Sequence, residues 1–270
     1  MELRNYGTLG DTALQNETRL DSIRSNNPKA LRLVSEGSNI YYAVKRMMDF
    51  VIAFILLMFL SPLMLLVAVI IFIYSPGPIF FKQERVGARR QSHGGRSTWK
   101  RVNFQCYKFR TMKIDADPSV HQAYVKALIE NDEAQMAALQ GAPTQPRKLV
   151  NDTRIIRPGK FLRKLSLDEL PQLWNVLEGH MSIVGPRPHA LIHDYEYGKM
   201  IANYAFRHHV KPGITGWAQV HGFRGGTPRL ELMEQRITLD LWYIANWSLA
   251  LDIYVIIKTF SELIRRRNAY

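Results

Sequence analysis

The segment FLRKLSLDELPQLWNVLEGHMSIVGPRP, residues 161–188, sets two adjacent carboxylates, Asp168 and Glu169, between two arginines, Arg163 and Arg187. That combination suits phosphoryl transfer. A carboxylate at a helix N-terminus is kept ionised by backbone donors and the helix dipole, so Asp168 is the expected nucleophile, and the same helix end attracts phosphate oxygens. Glu169 is the expected Mg²⁺ ligand, with Asp168 able to share the ion. Arg187 stands in GPRP, a rigid turn that presents a planar, permanently charged fork; with Arg163 it is the expected phosphate clamp. The competing reading is structural. Acidic residues at a helix start cap it and complement its dipole, worth roughly 0.5–2 kcal/mol, and need no chemistry.

The elements that must position these groups follow from the pattern around them. Leu170, Leu173, Trp174 and Leu177 recur at helical spacing and predict one apolar helix face, with Gly179 as the stop. The N-cap is either Ser166, in a capping box with Glu169, or a residue at or near Asp168, because Pro171 disfavours the first choice. Upstream, Arg154, Arg157, Lys160, Arg163 and Lys164 bring positive potential to the carboxylates, a field that gathers phosphates and lowers a carboxylate pKa. IFFKQERVG and YKFRTM predict paired strands, and Lys108 and Arg110 alternate onto one face of the second. They would meet substrate phosphates or the carboxylates, or else form structural salt bridges. Between the strands, ARRQSHGGRSTWKRVNF reads as a basic insertion, either a lipid-headgroup contact or a solvated loop. Residues 228–245 predict a helix bearing Asp240, and KPGITGWAQVHG a tight turn with a short extended piece. His189, His193, His208 and His209 lack the spacing of a zinc site.

The whole chain narrows the partners. Thirty-six Lys and Arg against 23 Asp and Glu give a formal net charge of +13 over 270 residues, which favours anionic partners. A single cysteine, Cys106, excludes an internal disulfide and a cysteine-based zinc site. Residues 1–40 predict a mobile arm, and residues 118–141 a helix closed by Gly141. Phe50 to Phe81 contains no charged residue, and at over 20 apolar residues it predicts a membrane segment. Ser61 and Pro62 interrupt its middle, while Lys45 and Arg46 precede it and Lys82, Arg85, Arg89 and Arg90 follow it. Basic residues at both ends place both on the cytoplasmic face, so residues 41–75 are expected to form a re-entrant helix–break–helix hairpin. A kinked transmembrane helix is the competing reading. Trp242, Tyr243 and Trp247 precede a last apolar helix with Arg265 to Arg267 at its end, as in a helix lying at a membrane interface or in a core helix with a basic tip.

KRMMD at Lys45 to Asp49, the Ser61–Pro62 break, SPGPIFFKQERVG, YKFRTM, RKLSLDELPQ and KPGITGWAQVHG stand in one order over roughly residues 40–270. Together they resemble the bacterial sugar transferases, the monotopic polyprenyl-phosphate phosphoglycosyl transferases. The resemblance implies an α+β, mainly helical fold: a re-entrant membrane hairpin, and a cytoplasmic catalytic domain over residues 76–270 with a small β-hairpin and interfacial amphipathic helices. It implies transfer of a sugar 1-phosphate from a UDP-sugar to undecaprenyl phosphate through an aspartyl-phosphosugar at Asp168, with Mg²⁺, at the bacterial inner membrane and in exopolysaccharide biosynthesis. Asp240 matches an acidic position that the family places at its catalytic centre, whereas GHMS around His180 departs from the family's GDMS. The C-terminal WSLALDIYVIIKTF favours glucose, with galactose second, in a branch whose members often carry further N-terminal transmembrane helices. No nucleic-acid partner is expected, and a homodimer stays open. The alternatives are a membrane-anchored metal-dependent phosphatase or pyrophosphatase and a non-catalytic basic adaptor.

Overall fold

In a computed structural model, residues 39–93, 96–114, 154–225 and 230–265 are described. Residues 1–38 of the expected N-terminal arm, the helix at 118–141 and the last two arginines at the tip of the last helix lie outside them, whereas Asn39 and Ile40 of that arm begin α1. The chain order is α1 (Asn39–Tyr74), β1 (Phe80–His93), β2 (Arg96–Phe109), α2 (Arg157–Leu165), a 3₁₀ turn (Leu167–Glu169), α3 (Gln172–Leu177) and β3 (Ser182–Val184). Then come α4 (Leu191–Met200), a 3₁₀ segment (Tyr204–His209), β4 (Gly213–Thr215), a π turn (Gln219–Phe223), α5 (Leu230–Ala245) and α6 (Leu249–Arg265). Among the described residues the fold is mainly helical with two small sheets, an α+β arrangement.

α1 runs unbroken for 36 residues through Pro62, so the expected interruption of the helix at Ser61 and Pro62 does not occur. The reason is local. Proline has no N–H for the carbonyl four residues earlier, that of Met58, and the Ser61 hydroxyl donates to that carbonyl at 2.9 Å. Among the described residues α1 is the one helix long and apolar enough to cross a membrane, and it exposes Phe50, Phe54, Met58, Phe59, Leu65 and Phe72. Its inward stripe is split between two cores. Ala53 packs with Leu173, Val176, Ile183 and Ile244, whereas Val67 and Ile71 pack with Phe109, Ile156 and Leu162.

The basic segment between the strands is not a loop. β1 and β2 pair antiparallel from Phe80↔Phe109 out to His93↔Arg96, so the insertion lengthens the hairpin. In the sequence GG at 94–95 stands between the two strands, a two-residue hairpin signal. The distal hairpin folds back on the start of α1, with Trp99 edge-on to Tyr42, ring centroids 5.5 Å apart, and the Arg90 guanidinium 3.9 Å above the Tyr42 ring.

α3 is docked on the hairpin by one side chain. Asn175, fully buried, accepts from the Tyr107 N–H at 2.9 Å and donates to the Gln105 carbonyl at 2.7 Å, so its amide continues the β2 edge. α3 ends as expected at Gly179: φ is +83°, and the amides of Gly179 and His180 bond the carbonyls of Val176 and Asn175 at 3.0 and 2.9 Å. The single apolar face expected of α3 is corrected, since Leu173 and Val176 turn inward while Trp174 is exposed.

Candidate active site

Asp168 and Glu169 lie on the 3₁₀ turn between α2 and α3, one step before the helix that was expected to begin with them. Pro171 takes the N-cap position of α3 and no side chain caps it. Ser166 does not form a capping box either, because it sits in the left-handed region with φ +56° and its hydroxyl accepts from Arg224 Nη2 at 2.9 Å. The structural reading of the carboxylate pair, as caps, therefore fails on geometry.

Glu169 is the hub of the cations. Lys108 Nζ donates to its Oε1 at 2.7 Å, and Arg187 forks across it, Nη1 to Oε2 at 3.0 Å and Nη2 to Oε1. Burial would raise the Glu169 pKa, but Arg187 and Lys108 outweigh it and hold the carboxyl well below its ordinary range. Asp168 differs. It is 8% exposed, and among the described residues no hydrogen bond reaches its carboxylate. Desolvation by burial raises its pKa, and the charge of Glu169 adds to that; Lys108, Arg163 and Arg187 oppose them without cancelling them. The field expected to lower the Asp168 pKa is present but loses to burial. What results is a poorly solvated carboxylate with free lone pairs, ringed by cations that its neighbour holds in place.

Arg187 owes its position to a clamp on both sides of its backbone. β3 and β4 pair in parallel, Ser182↔Gly213 and Val184↔Thr215, and carry the GPRP turn between them. Gly185 meets the second strand so closely that a Cβ there would stand 2.4 Å from the Lys211 carbonyl oxygen. Arg207 Nη2 then donates to the Arg187 carbonyl at 2.8 Å, and Arg85 Nη1 to the Pro188 carbonyl at 2.9 Å. Neither arginine was among the expected site residues.

The remaining expected residues divide. Lys108 and Arg163 join the pair: Lys108 through its bond to Glu169, and Arg163 by acting on Asp168 electrostatically while its Nε donates to the Thr111 hydroxyl at 2.8 Å. Arg110 does not. β2 ends at Phe109, the alternation of faces ends with it, and the buried Arg110 guanidinium binds the carbonyls of Ser75 and Pro76 after α1. Asp240 is also held away from the carboxylates, fully buried on α5, where its Oδ2 accepts from Arg207 Nε at 3.1 Å. Asp240 thus supports the arginine that supports the Arg187 backbone. Neutral His189 completes this layer: burial and the neighbouring arginines push its pKa well down, so its Nδ1 can accept from Tyr204 Oη at 2.6 Å and Arg207 Nη1 at 3.0 Å.

Among the described residues no three His, Cys, Asp or Glu side chains gather into a metal cage. Mg²⁺ commonly takes one or two carboxylates and completes its shell with water and substrate phosphates, and Asp168 with Glu169 fits that habit. Asp168 brings unengaged oxygens, whereas Glu169 would have to share its oxygens with Lys108 and Arg187.

Comparison with known proteins places the chain in a family. Residues 40–266 match the family model for the bacterial sugar transferases. The UDP-glucose:undecaprenyl-phosphate glucose-1-phosphate transferase of Xanthomonas campestris pv. campestris is 46% identical over 235 residues, covering 87% of this chain and 42% of the relative. The protein of the same name from Caulobacter vibrioides is 42% identical, covering 84% and 72%. That from Escherichia coli K12 is 40% identical, covering 86% and 43%. The chain spans about two-fifths of the length of the Xanthomonas and Escherichia proteins. With the family model matched over most of its length, the chain belongs to the bacterial sugar transferase family.

Proposed function

We propose that this chain transfers a sugar 1-phosphate from a UDP-sugar to undecaprenyl phosphate, releasing UMP, as the membrane step that starts an exopolysaccharide. The observation that carries the reading is Asp168, a buried carboxylate without a hydrogen-bond partner among the described residues, beside cations gathered on Glu169. An ordinary structural carboxylate in that company would be paired, as Glu169 is.

Chemically, an Asp168 oxygen attacks the β-phosphorus of the UDP-sugar, the bond to the bridging oxygen breaks, and UMP leaves. The lipid phosphate then attacks the aspartyl-phosphosugar, giving the lipid-diphosphate-sugar and restoring the Asp168 carboxylate. Arg187, Lys108 and Arg163 neutralise the phosphoryl oxygens in both steps, and Glu169 holds the first two in register. Mg²⁺ bound through Asp168 and Glu169 would supply further charge neutralisation. Arg207, Arg85 and Asp240 fix the backbone that carries Arg187. Glucose is the favoured sugar, the one named in the three relatives above.

The site belongs at the cytoplasmic surface of the bacterial inner membrane, with α1 re-entrant through a bend at Pro62 rather than through a break in the helix. In support, both ends of α1 are tied to one domain. Arg46 donates to the carbonyls of Val176 and Leu177, and Ile71 packs on Phe109. A straight helix of this length would span ~54 Å, well beyond the ~30 Å hydrocarbon core. α6 exposes Ile253, Tyr254, Ile257 and Phe260, and α2 exposes Phe161, as interfacial helices would.

The test is UMP release by purified protein in detergent with undecaprenyl phosphate, Mg²⁺ and a panel of UDP-sugars. The expected result is turnover with UDP-glucose that needs the lipid phosphate. Hydrolysis that proceeds equally well without lipid would mean a phosphatase, and no turnover with any UDP-sugar would leave a basic adaptor.

A further inference from the structure

A second cationic pocket, of about 130 Å³, opens where the distal hairpin meets the start of α1. Lys45, Arg46, Arg90 and Lys211 line it against a single carboxylate, Asp49, with Tyr42, Trp99 and Trp247 as aromatic wall. Three of the four cations are occupied. Lys45 pairs with Asp49 at 3.2 Å and, deeper, with Asp252 at 2.7 Å; Arg46 is spent on the α3 carbonyls; Arg90 lies over Tyr42. Asp49 is spent as well, accepting from the Ser182 hydroxyl and the Ile183 amide, each at 3.0 Å.

Lys211 is left over. Among the described residues no hydrogen bond or ion pair reaches its Nζ, although the side chain is half-buried. Burial and the charge of Arg46 hold its amine down at about 8, with Lys45 and Arg89 pushing the same way and Asp49 opposing. Arg46 Nη2 and Lys211 Nζ border the same small space, 3.2 and 3.5 Å from where a Cβ on Gly179 would lie. Two guanidinium or ammonium groups so placed, with the local carboxylate already committed, leave positive charge that an anion would balance.

We infer that this pocket is an anion subsite for a phosphate group, held by Lys211 in the positive potential of the neighbouring Arg46 and walled by Trp99 of the hairpin extension. It is separate from the catalytic pair. Arg46 and Gly179 mark the C-terminal end of α3, whereas Asp168 and Glu169 precede its N-terminus. The pocket is compact and sits at the first turns of the apolar helix, so the phosphate is either that of a lipid headgroup or a free phosphoryl anion.

The amine itself is the reporter. Full-length protein in neutral detergent is pulse-acetylated at pH 8 and the modification of Lys211 read by peptide mass spectrometry. Three conditions are compared: no addition, inorganic phosphate, and micelles doped with phosphatidylglycerol. Without anion, Lys211 is expected to acetylate faster than exposed lysines such as Lys199, because its pKa lies near the working pH. A bound phosphate raises that pKa and covers the nitrogen, so acetylation slows about tenfold in a saturable way. Slowing by inorganic phosphate alone identifies a free anion as sufficient; slowing by phosphatidylglycerol only identifies the headgroup. Trp99→Leu, on the exposed hairpin side of the pocket, is expected to weaken the protection severalfold. Acetylation of Lys211 unaffected by either anion overturns the inference, as does protection equal at all lysines. The result is independent of whether UMP is released, so it stands or falls apart from the transferase reading.

Discussion

At Asp168, desolvation and a ring of cations act in opposite directions, and desolvation wins. A carboxylate whose pKa is raised must lose its proton before it can attack, so activity is lost as pH falls through a value above the ordinary aspartate range. Lys108 is the largest of the opposing influences. Lys108→Met is therefore expected to move the acid limb of the kcat/KM profile to higher pH; an unmoved limb would mean that another group sets it. Glu169→Gln removes the anchor of Lys108 and Arg187 together. By the magnitude usual for lost preorganised charge stabilisation, kcat should drop by roughly 10²–10³ with KM much less affected. Asp168, Glu169, Arg163 and Arg187 were legible from the sequence because they lie within 25 positions and their types match one chemistry. Their division of labour was not, since it depends on which carboxylate Lys108 reaches from 61 residues away.

At the level of elements, the site is a 3₁₀ turn held against a β-edge and a clamped GPRP turn. Asn175 joins α3 to β2, so Asn175→Ala should free that edge and cost ~1–2 kcal/mol of stability, because it removes two hydrogen bonds made by a fully buried side chain to a part-buried strand edge. Asp240→Asn leaves Arg207 and Arg236 buried with less counter-charge; a loss of about 3–5 kcal/mol, read as a lowered melting temperature in detergent, is expected along with reduced kcat. A variant that melts like the wild type would assign Asp240 a direct role at the substrate instead. Local signals served well where an element is decided locally: the paired strands and the stop at Gly179. They failed where a boundary mattered. Arg110 shares a periodicity with Lys108, but the strand ends between them. Arg85 and Arg207 were invisible because their partners are backbone carbonyls 103 and 20 residues distant.

For the molecule as a whole, a long apolar helix and a basic domain are fastened together by buried charge. Lys45 and Asp49 of α1 reach into the domain core, where Asp252 accepts from the Tyr243 hydroxyl at 2.6 Å and from Lys45 at 2.7 Å. In the proposed reading catalytic position and membrane depth are thereby linked, since the long apolar helix also packs under α3. The account rests on one bond above all, that between the Asp168 carboxylate and the transferred phosphoryl group. Its most direct measurement is the intact mass of the protein after incubation with UDP-glucose and Mg²⁺ in the absence of undecaprenyl phosphate. The wild type is expected to gain one glucose phosphate, mapped to the peptide containing Asp168 and discharged when the lipid phosphate is added, while Asp168→Asn gains nothing. An adduct of equal yield on the Asp168→Asn protein, or one mapped to another residue, would contradict the account.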